Sequence, residues 1–183
     1  MIKYDFFNKI VLVTASSQGI GYGIAKAFFV AGAKVVICSR TNSKLQKSYK
    51  VLSAGDPSRV LSLSGDISKI NFLKSLVYKV QEYYKDSIDI LVNNSGGPPP
   101  GESASITEKE WKKAIDSNLM SVIRLCSMVL PAMKEKKWGR IIHISSLNAV
   151  TGGTTSEGAA PSPAYTCAKS FLNMYTKVLG REV

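Results

Sequence analysis

Short apolar runs alternate with helical patterns along the whole chain. Runs rich in Val, Ile and Leu, typical of strands buried on both faces, occur at 9–15, 34–39, 59–66, 88–97 and 139–146. Segments with helical spacing of apolar residues follow them, at 19–32, 42–54, 68–84, 107–136 and 162–181. This order predicts an α/β fold in which a doubly wound parallel sheet lies between two layers of helices.

Local signals mark the ends of the last two helical segments. Thr107 and Glu110 form a capping-box pattern at the start of the longer one, and Pro131 is expected to kink or break its last turns. Ser162 as N-cap and Pro163 at the first helical position open the final helix.

No linker or internal repeat divides the chain. The segment 147–163 is rich in Gly, Ser, Thr and Pro and is predicted to be a loop. A chain of 183 residues has the length of one domain, so residues 1–183 are predicted to form a single domain.

The overall composition is that of a soluble globular protein. Apolar residues make up 45% of the chain, and no apolar run approaches the roughly 20 residues that a membrane span needs. The N-terminus lacks a signal-peptide layout, and three widely separated cysteines indicate neither a disulfide framework nor a zinc site. The only histidine, His143, lies mid-strand without a neighbouring ligand type, which favours a packed core residue. These features predict a cytoplasmic protein without a metal centre.

The formal net charge of +11 is spread along helix positions, with one local cluster at 133–140. A lysine-rich solvated surface is the preferred interpretation, because nucleic-acid binders concentrate Lys and Arg on one face. An anionic ligand such as a nucleotide phosphate and nonspecific polyanion binding are the alternatives. We expect neither nucleic acid nor a membrane as the partner.

The segment after the first strand, TASSQGIGYG at 14–23, is a candidate phosphate-binding turn. In a doubly wound sheet the ligand binds beyond the carboxyl ends of the strands, near the switch in strand order. Gly19 and Gly21 open the next helix, and small residues there let backbone N–H groups approach a pyrophosphate. A tight turn that serves only close packing remains the alternative.

Five motifs in one order resemble the short-chain dehydrogenase/reductase family. They are TASSQGIG (14–21), NNSG (93–96), Asn118, ISS (144–146) and YTCAK (165–169). The resemblance covers the chain from Lys9 onwards. Within the family, the chain is similar to the 3-oxoacyl-carrier-protein reductase and sugar dehydrogenase-like members. The resemblance implies that residues 1–183 form one NAD(P)-binding domain with a Rossmann-type fold of three αβα layers. It also implies an NAD(P)(H)-dependent oxidoreductase that transfers a hydride between nicotinamide and a carbonyl or secondary alcohol substrate.

Two positions depart from the family pattern. The family usually has Gly where Ala15 stands, and Ala where Ser95 stands. We expect the turn at Ala15 to have a negative φ, which tolerates the extra methyl group. The departure should then alter the fit of the cofactor without loss of the fold.

The resemblance implies a set of cofactor-binding residues around the cleft: Thr14, Ser16, Ser17, Gly19, Ile20, Gly21, Arg40, Asp66, Ile67, Asn93, Ser95, Gly96, Tyr165 and Lys169. The second strand ends at Arg40 with no acidic residue, and a guanidinium can bind a 2′-phosphate, so NADP is favoured over NAD. Asp66 is expected to bind the adenine amino group, with the backbone of Ile67 alongside. Asp66 is also a candidate N-cap of the helix from Ser68, and both roles are compatible.

Tyr165 and Lys169 are four residues apart, so a helix places both side chains on one face. A free tyrosine has a pKa of about 10, and lowering it by about three units requires roughly 4 kcal/mol. One ammonium about 4 Å away supplies roughly that amount at an effective dielectric of about 20. Such a pair is common on ordinary helix surfaces, and its position after a strand that ends in two serines makes it a candidate site.

The resemblance assigns a role to each polar residue of this site. Tyr165 exchanges the hydroxyl proton, Ser146 hydrogen-bonds the substrate oxygen, and Lys169 binds the nicotinamide ribose and lowers the pKa of the tyrosine. Asn118 disturbs its own helix and holds a water that links Lys169 to solvent. Ser145 competes with Ser146 for the serine role, and strand alternation with the family register favours Ser146.

Members of the family continue beyond the tyrosine helix, whereas this sequence ends at VLGREV. We therefore expect a C-terminally truncated chain, or part of a longer protein, that lacks the last strands of the family fold. The full-length form is expected to be a homodimer or homotetramer that associates through the helices at 107–136 and 162–181. An inactive nucleotide-binding fragment or pseudoenzyme is the alternative function.

Overall fold

A parallel sheet lies at the centre of the computed structural model, which describes residues 4–97, 101–153 and 162–183. Its strands run in the order β3-β2-β1-β4-β5, and neighbouring strands are parallel. They are β1 (Ile10–Val13), β2 (Lys34–Ser39), β3 (Val60–Ser64), β4 (Ile90–Asn93) and β5 (Arg140–His143). The strand order reverses between β1 and β4, where a doubly wound sheet binds its ligand. The predicted Rossmann-type α/β fold is confirmed.

Helices cover both faces of this sheet. They are α1 (Gly19–Val30), α2 (Asn42–Leu52), α3 (Ile70–Tyr84), α4 (Glu108–Ile115), α5 (Ser121–Glu135), α6 (Asn148–Thr151) and α7 (Pro163–Glu182). Within the described ranges, no helix has both the length and the apolar character needed to cross a bilayer.

Successive side chains of the central strands point into two separate cores. Leu12 and Val36 pack on one face with apolar residues of α3, α5 and α7. Val11 and Val35 pack on the other face with apolar residues of α1 and α2. Because both faces are covered at the centre of the sheet, β1, β4 and the interior of β2 are buried, which explains why the sequence shows continuous apolar runs there rather than alternation.

Helix α3 begins at Ile70, two residues later than the sequence pattern predicts. The side chain of Asp66 accepts a hydrogen bond from the backbone N–H of Ser68 at 2.9 Å, and its carbonyl accepts from that of Lys69 at 3.0 Å. These bonds close a separate turn after β3. Asp66 therefore caps this turn and not the helix itself.

The long helix predicted at 107–136 is divided by a π-helical turn at Asp116–Met120. The capping box at its start is confirmed: the backbone N–H of Thr107 donates to Glu110 Oε2 at 2.9 Å, and that of Glu110 donates to Thr107 Oγ1 at 3.3 Å. These bonds to the carboxylate lower the pKa of Glu110.

Pro131 does not break α5, which continues to Glu135. A proline removes one backbone hydrogen bond from the helix. Val129 and Met133, on either side of it, are buried in the core and hold the last turns in place. Of the two effects expected at Pro131, a break is therefore wrong, and a kink stays a prediction.

The predicted loop at 147–163 contains the short helix α6, so this expectation is corrected. The carbonyl of Leu147 accepts hydrogen bonds from the N–H groups of Val150 and Thr151, which form a helical turn directly after β5. Residues 154–161 of the predicted loop lie outside the described residues.

Pro163 occupies the first position of α7 as predicted, but Ser162 does not cap the helix with its side chain. The carbonyl of Ser162 accepts from the N–H of Thr166 at 2.9 Å and so starts the helical ladder. Because proline already has a helical φ and no N–H, this helix begins without a side-chain cap.

Candidate active site

The candidate site lies where the carboxyl ends of β1 and β4 meet. The hydroxyl of Thr14, directly after β1, donates to the carbonyl of Asn94 at 2.6 Å and accepts from its N–H at 2.8 Å. The two loops are thereby held side by side at the switch in strand order. Thr14 thus joins the two walls of the predicted cleft and is 1% exposed.

The turn after β1 requires unusual backbone geometry at two positions. Gly19 has a φ of +59°, and Ala15 has a φ of +47°, so the expected negative φ at Ala15 is wrong. The left-handed region is unfavourable for a residue with a Cβ. The glycine that the family usually has at this position would adopt it without strain.

Gly21 permits the close approach of α1 to this turn. A Cβ atom at Gly21 would lie 2.5 Å from the carbonyl oxygen of Ala15 and 2.6 Å from Asn94 Nδ2. The first turn of α1 carries no acidic side chain, and Gln18 provides no side-chain cap. The N-terminus of α1 is therefore electrostatically suited to a phosphate, and its N–H groups have no side-chain competitor there.

The hydroxyl groups of Ser16 and Ser17 bind their own chain. Ser16 Oγ donates to the carbonyl of Val13 at 2.6 Å and accepts from the N–H of Cys38 at 3.1 Å. Ser17 Oγ donates to Ser39 Oγ at 2.9 Å. Ser16 is fully buried, so its side chain is not available to a cofactor and instead fixes the turn to the end of β2.

Arg40 follows Ser39 directly and is exposed at the end of β2. Among the described residues, none forms a hydrogen bond or ion pair with its guanidinium group. The bond between Ser17 and Ser39 therefore places a free cation beside the glycine turn. Ile20 is 68% exposed in the first turn of α1.

Asp66 and Ile67 lie after β3, next to the end of β2. One carboxylate oxygen of Asp66 is used by the turn described above. The side chain of Ile67 packs on the core, so only its backbone is positioned for a base. Gly96, in the loop after β4, is exposed, and no heavy atom lies within 4 Å of the position that a Cβ would take.

Asn93 and Asn94 have different roles. The Asn93 side chain is 2% exposed and lies against Cys126 Sγ, with Nδ2 at 3.8 Å, so it is not available to line the cleft as expected. The side-chain amide of Asn94, which the sequence analysis did not single out, donates to the carbonyls of Thr14 and Ala15. Strand alternation could have identified Asn94, because adjacent strand residues point in opposite directions.

Lys169 is the largest fully buried side chain of the described residues, at 2% exposure. Its ammonium group donates to the carbonyl of Ile144 at 2.6 Å and to Ser95 Oγ at 3.2 Å. It lies 5.6 Å from the centre of the Tyr165 ring. Burial lowers the pKa of Lys169 to about 8, so the amine is still mostly protonated at neutral pH.

Asn118 is fully buried in the π-helical turn. Its Oδ1 accepts a hydrogen bond from Ser95 Oγ at 2.6 Å. Its Nδ2 donates to the carbonyl of Ala114 and to Ser117 Oγ, both at 3.0 Å. The π turn thus directs the amide towards the loop after β4, where Ser95 connects it to Lys169.

The two serines after β5 differ in their partners. Ser145 Oγ donates to Asn173 Oδ1 on α7 at 2.6 Å. Ser146 Oγ accepts a long bond of 3.3 Å from the N–H of Asn148, and no described residue accepts its proton. The hydroxyl of Ser146 is therefore the one that can donate to a ligand.

His143 is held by its neighbours on β5 and α7. Its Nδ1 lies 2.9 Å from Thr176 Oγ1, its Nε2 lies 3.6 Å from Cys126 Sγ, and its ring stacks on that of Tyr175. Burial and the nearby charge of Lys169 lower the pKa of His143 to about 4. It is a neutral, packed side chain at pH 7.

Comparison with known proteins gives relatives over nearly the whole chain. The chain is 33% identical over 176 residues to the 3-oxoacyl-(acyl-carrier-protein) reductase FabG of Chlamydia muridarum. This alignment covers 96% of the chain and 68% of that protein. The chain is 34% identical over 179 residues to FabG of Escherichia coli K12, covering 98% and 69%. The crystal structure of L-sorbose reductase from Gluconobacter frateurii, complexed with NADPH and L-sorbose, superimposes with a TM-score of 0.90 at 28% identity.

The superposition covers 100% of this chain and 66% of the sorbose reductase chain, so the chain spans about two thirds of the length of these relatives. The family model described as short chain dehydrogenase matches residues 9–183. The chain therefore belongs to the short-chain dehydrogenase family of oxidoreductases and is similar to 3-oxoacyl-(acyl-carrier-protein) reductases.

Proposed function

We propose that this chain is the core of an NADP(H)-dependent reductase or dehydrogenase that interconverts a small-molecule carbonyl and a secondary alcohol. The observation that carries the proposal is the buried Lys169 ammonium beside the Tyr165 ring, together with the Ser146 hydroxyl after β5, whose proton has no acceptor among the described residues. The relatives reported above, reductases by name, support the same reaction class.

The residues around the glycine turn fit a dinucleotide. Gly21 allows close approach of the backbone, and the start of α1 offers N–H groups without a competing acidic side chain. Arg40 would bind the 2′-phosphate of NADP, because its guanidinium is exposed and no carboxylate stands at the end of β2 to repel it. Asp66 and the backbone of Ile67 would bind the adenine. Gly96, in the loop after β4, would line the cofactor cleft.

When bound, the nicotinamide ring would supply or accept the hydride. Tyr165 would give its proton to the carbonyl oxygen in the reductive direction and take it back in the oxidative direction. Ser146 would donate a hydrogen bond to the same oxygen and stabilise the charge that develops there. The Lys169 ammonium would stabilise the negative charge that remains on the tyrosine oxygen.

The test measures NADPH oxidation with a panel of ketones and aldehydes. Tyr165→Phe should lower kcat by about 10³-fold while cofactor affinity stays within a few-fold, because only the proton donor is lost. Ser146→Ala should lower kcat/KM by about 10²-fold. Ser145→Ala is the matched control, since that hydroxyl is bonded to Asn173, and it should retain activity.

If Tyr165→Phe keeps the rate of the parent protein, the proposed mechanism is wrong. If the protein binds NADPH and no substrate is turned over by any variant or by the parent, the nucleotide-binding alternative is supported instead.

Cofactor preference has its own test. Arg40→Glu should weaken NADPH binding by about tenfold or more and leave NADH binding nearly unchanged, because only NADPH carries the 2′-phosphate. Lys44→Glu, an equal charge change at an exposed position on α2, is the control. Equal losses for both cofactors in Arg40→Glu would contradict the assignment of Arg40.

We propose that the protein associates through α7. Phe171, Met174 and Val178 follow one another at helical spacing and are 56%, 58% and 46% exposed. An apolar stripe of this kind on a helix is suited to packing against a second subunit. Light scattering should show a homodimer or homotetramer, and Met174→Glu should shift the protein towards monomer.

A further inference from the structure

Ser95 connects the two buried polar groups of the site. Its hydroxyl donates to Asn118 Oδ1 at 2.6 Å and accepts from Lys169 Nζ at 3.2 Å. A serine hydroxyl has one proton and two lone pairs. Because that proton is used by Asn118, only lone pairs of Ser95 face Lys169.

The direction of these hydrogen bonds is fixed from the π-helical turn outwards. Asn118 Nδ2 donates to the carbonyl of Ala114 and to Ser117 Oγ, which orients the amide and leaves Oδ1 facing Ser95. Asn118 therefore requires a donor from Ser95, and Ser95 in turn requires a donor from Lys169. The chain of bonds ends in an acceptor aimed at an N–H of the amine, and such a bond is strongest when the donor is charged.

We propose that Ser95 is a positioning residue that, oriented by Asn118, holds the side chain of Lys169 in place as an ammonium beside Tyr165. Its relevance to catalysis rests on the proposed function. The family resemblance implies that Asn118 holds a water that links Lys169 to solvent, and in this structure the Ser95 hydroxyl bonds both Asn118 and Lys169. The departure from the family's usual Ala is thus a functional substitution at this position.

The surroundings of Lys169 make Ser95 an important partner. Tyr165 on the same helix and His143 on β5 are the titratable side chains that face it among the described residues, and no described carboxylate pairs with it. The π turn contributes Asn118 and the loop after β4 contributes Ser95, neither of which titrates. Burial favours the neutral amine, so the two acceptors, Ser95 Oγ and the carbonyl of Ile144, are what favour the charged form.

The decisive experiment uses the cofactor-free protein labelled with ¹³C-lysine. The ¹³Cε resonance of Lys169, assigned by its loss in Lys169→Arg, is followed by NMR through a pH titration. Ser95→Ala should lower the titration midpoint by about one pH unit, because an acceptor for the ammonium is lost. Ser95→Thr keeps the hydroxyl and should restore the midpoint of the parent protein.

Ser145→Ala is the matched control, since it removes a hydroxyl near the same helix that bonds Asn173 instead of Lys169. Thermal unfolding of each variant shows that it is folded. An unchanged midpoint in folded Ser95→Ala, or a midpoint that Ser95→Thr fails to restore, overturns the inference.

Kinetics separate this inference from the proposed function. If the enzyme is active, the pH profile of kcat in Ser95→Ala should shift in the same direction as the NMR midpoint. If no carbonyl substrate is reduced but the midpoint shifts as expected, the proposed function fails and the role of Ser95 at Lys169 stands.

Discussion

The side-chain amide of Asn94 donates hydrogen bonds to the carbonyl oxygens of Thr14 and Ala15, at 3.2 and 3.1 Å. One residue after β4 therefore holds two consecutive peptide groups of the turn after β1. The turn keeps its shape through these bonds even though Ala15 has a left-handed backbone conformation. The geometry of this corner leads to two predictions about stability.

Ala15→Gly should stabilise the protein. The φ of +47° disfavours a residue with a Cβ, and glycine adopts it freely. After subtraction of the greater entropy of glycine in the unfolded chain, we expect a gain of about 0.5–1 kcal/mol in the free energy of unfolding. Urea unfolding measures this change.

Ala27→Gly makes the same substitution at an exposed position inside α1 and serves as the control. It should destabilise the protein by about 1 kcal/mol, because glycine is a poor helix former. Equal destabilisation by both variants would show that the backbone at Ala15 is not strained.

Gly21→Ala should separate α1 from the turn. The new Cβ would meet the carbonyl oxygen of Ala15 at 2.5 Å and Ser16 Cα at 3.0 Å, and both are backbone atoms that cannot move aside cheaply. We expect a loss of about 1–3 kcal/mol in the free energy of unfolding, together with loss of nucleotide binding.

Gly23→Ala, two residues further along α1, is the comparison for this variant. No heavy atom lies within 4 Å of its Cβ position, so the change should be neutral or stabilising by up to about 1 kcal/mol. Thermal unfolding and calorimetric titration with NADPH test both variants, and a Gly21→Ala protein as stable as Gly23→Ala would contradict the predicted close approach.

The buried Lys169 predicts a pH dependence of stability. Its pKa is about 8 in the folded protein, whereas an exposed lysine titrates at about 10.4. Between these values the unfolded chain binds a proton that the folded protein has released, so this lysine makes stability rise with pH. Relative to Lys169→Met, the free energy of unfolding of the parent protein should rise by about 2–3 kcal/mol between about pH 8 and pH 10.

Burial raises the pKa of Cys38 to about 12 and that of Cys126 to about 11, and these thiols oppose the trend at alkaline pH. Both thiols are present in the parent protein and in Lys169→Met, so their contributions cancel when the two free energies of unfolding are subtracted. Lys177→Met, at an exposed position on the same helix, removes a lysine without burial and is the control. A parent-minus-variant difference that is independent of pH would show that the Lys169 amine is hydrated.

The pattern of apolar residues was sufficient to predict the parallel sheet and the order of the helices that cover it. Short, continuous runs rich in β-branched residues, such as the one at 34–39, favour strands covered on both faces, and β2 has the predicted bounds. The family motifs were sufficient to locate Tyr165, Lys169, Asn118 and Ser95 at one place. These features are predictable because each depends on local composition or on a motif in a fixed order.

The partners of individual side chains could not be predicted. Ser16 was expected to bind a cofactor, but its hydroxyl is used by Val13 and by Cys38, a residue 22 positions away on another strand. The sign of φ at Ala15 depends on how the turn meets Asn94, which only the folded chain defines. Both errors come from tertiary contacts that leave no periodic signal in the sequence.

The π turn at Asp116–Met120 has a consequence for the helices that flank it. α4 packs against α7, whereas α5 packs against α3. In a regular α-helix each residue advances by about 100°, so one extra residue in a π turn rotates the following helix by about that angle relative to the preceding one. The extra residue resets the phase between the two helices, and the same insertion aims Asn118 at Ser95. A substitution that removed the π turn would therefore change both the rotation of α5 relative to α4 and the bond from Ser95 to Asn118.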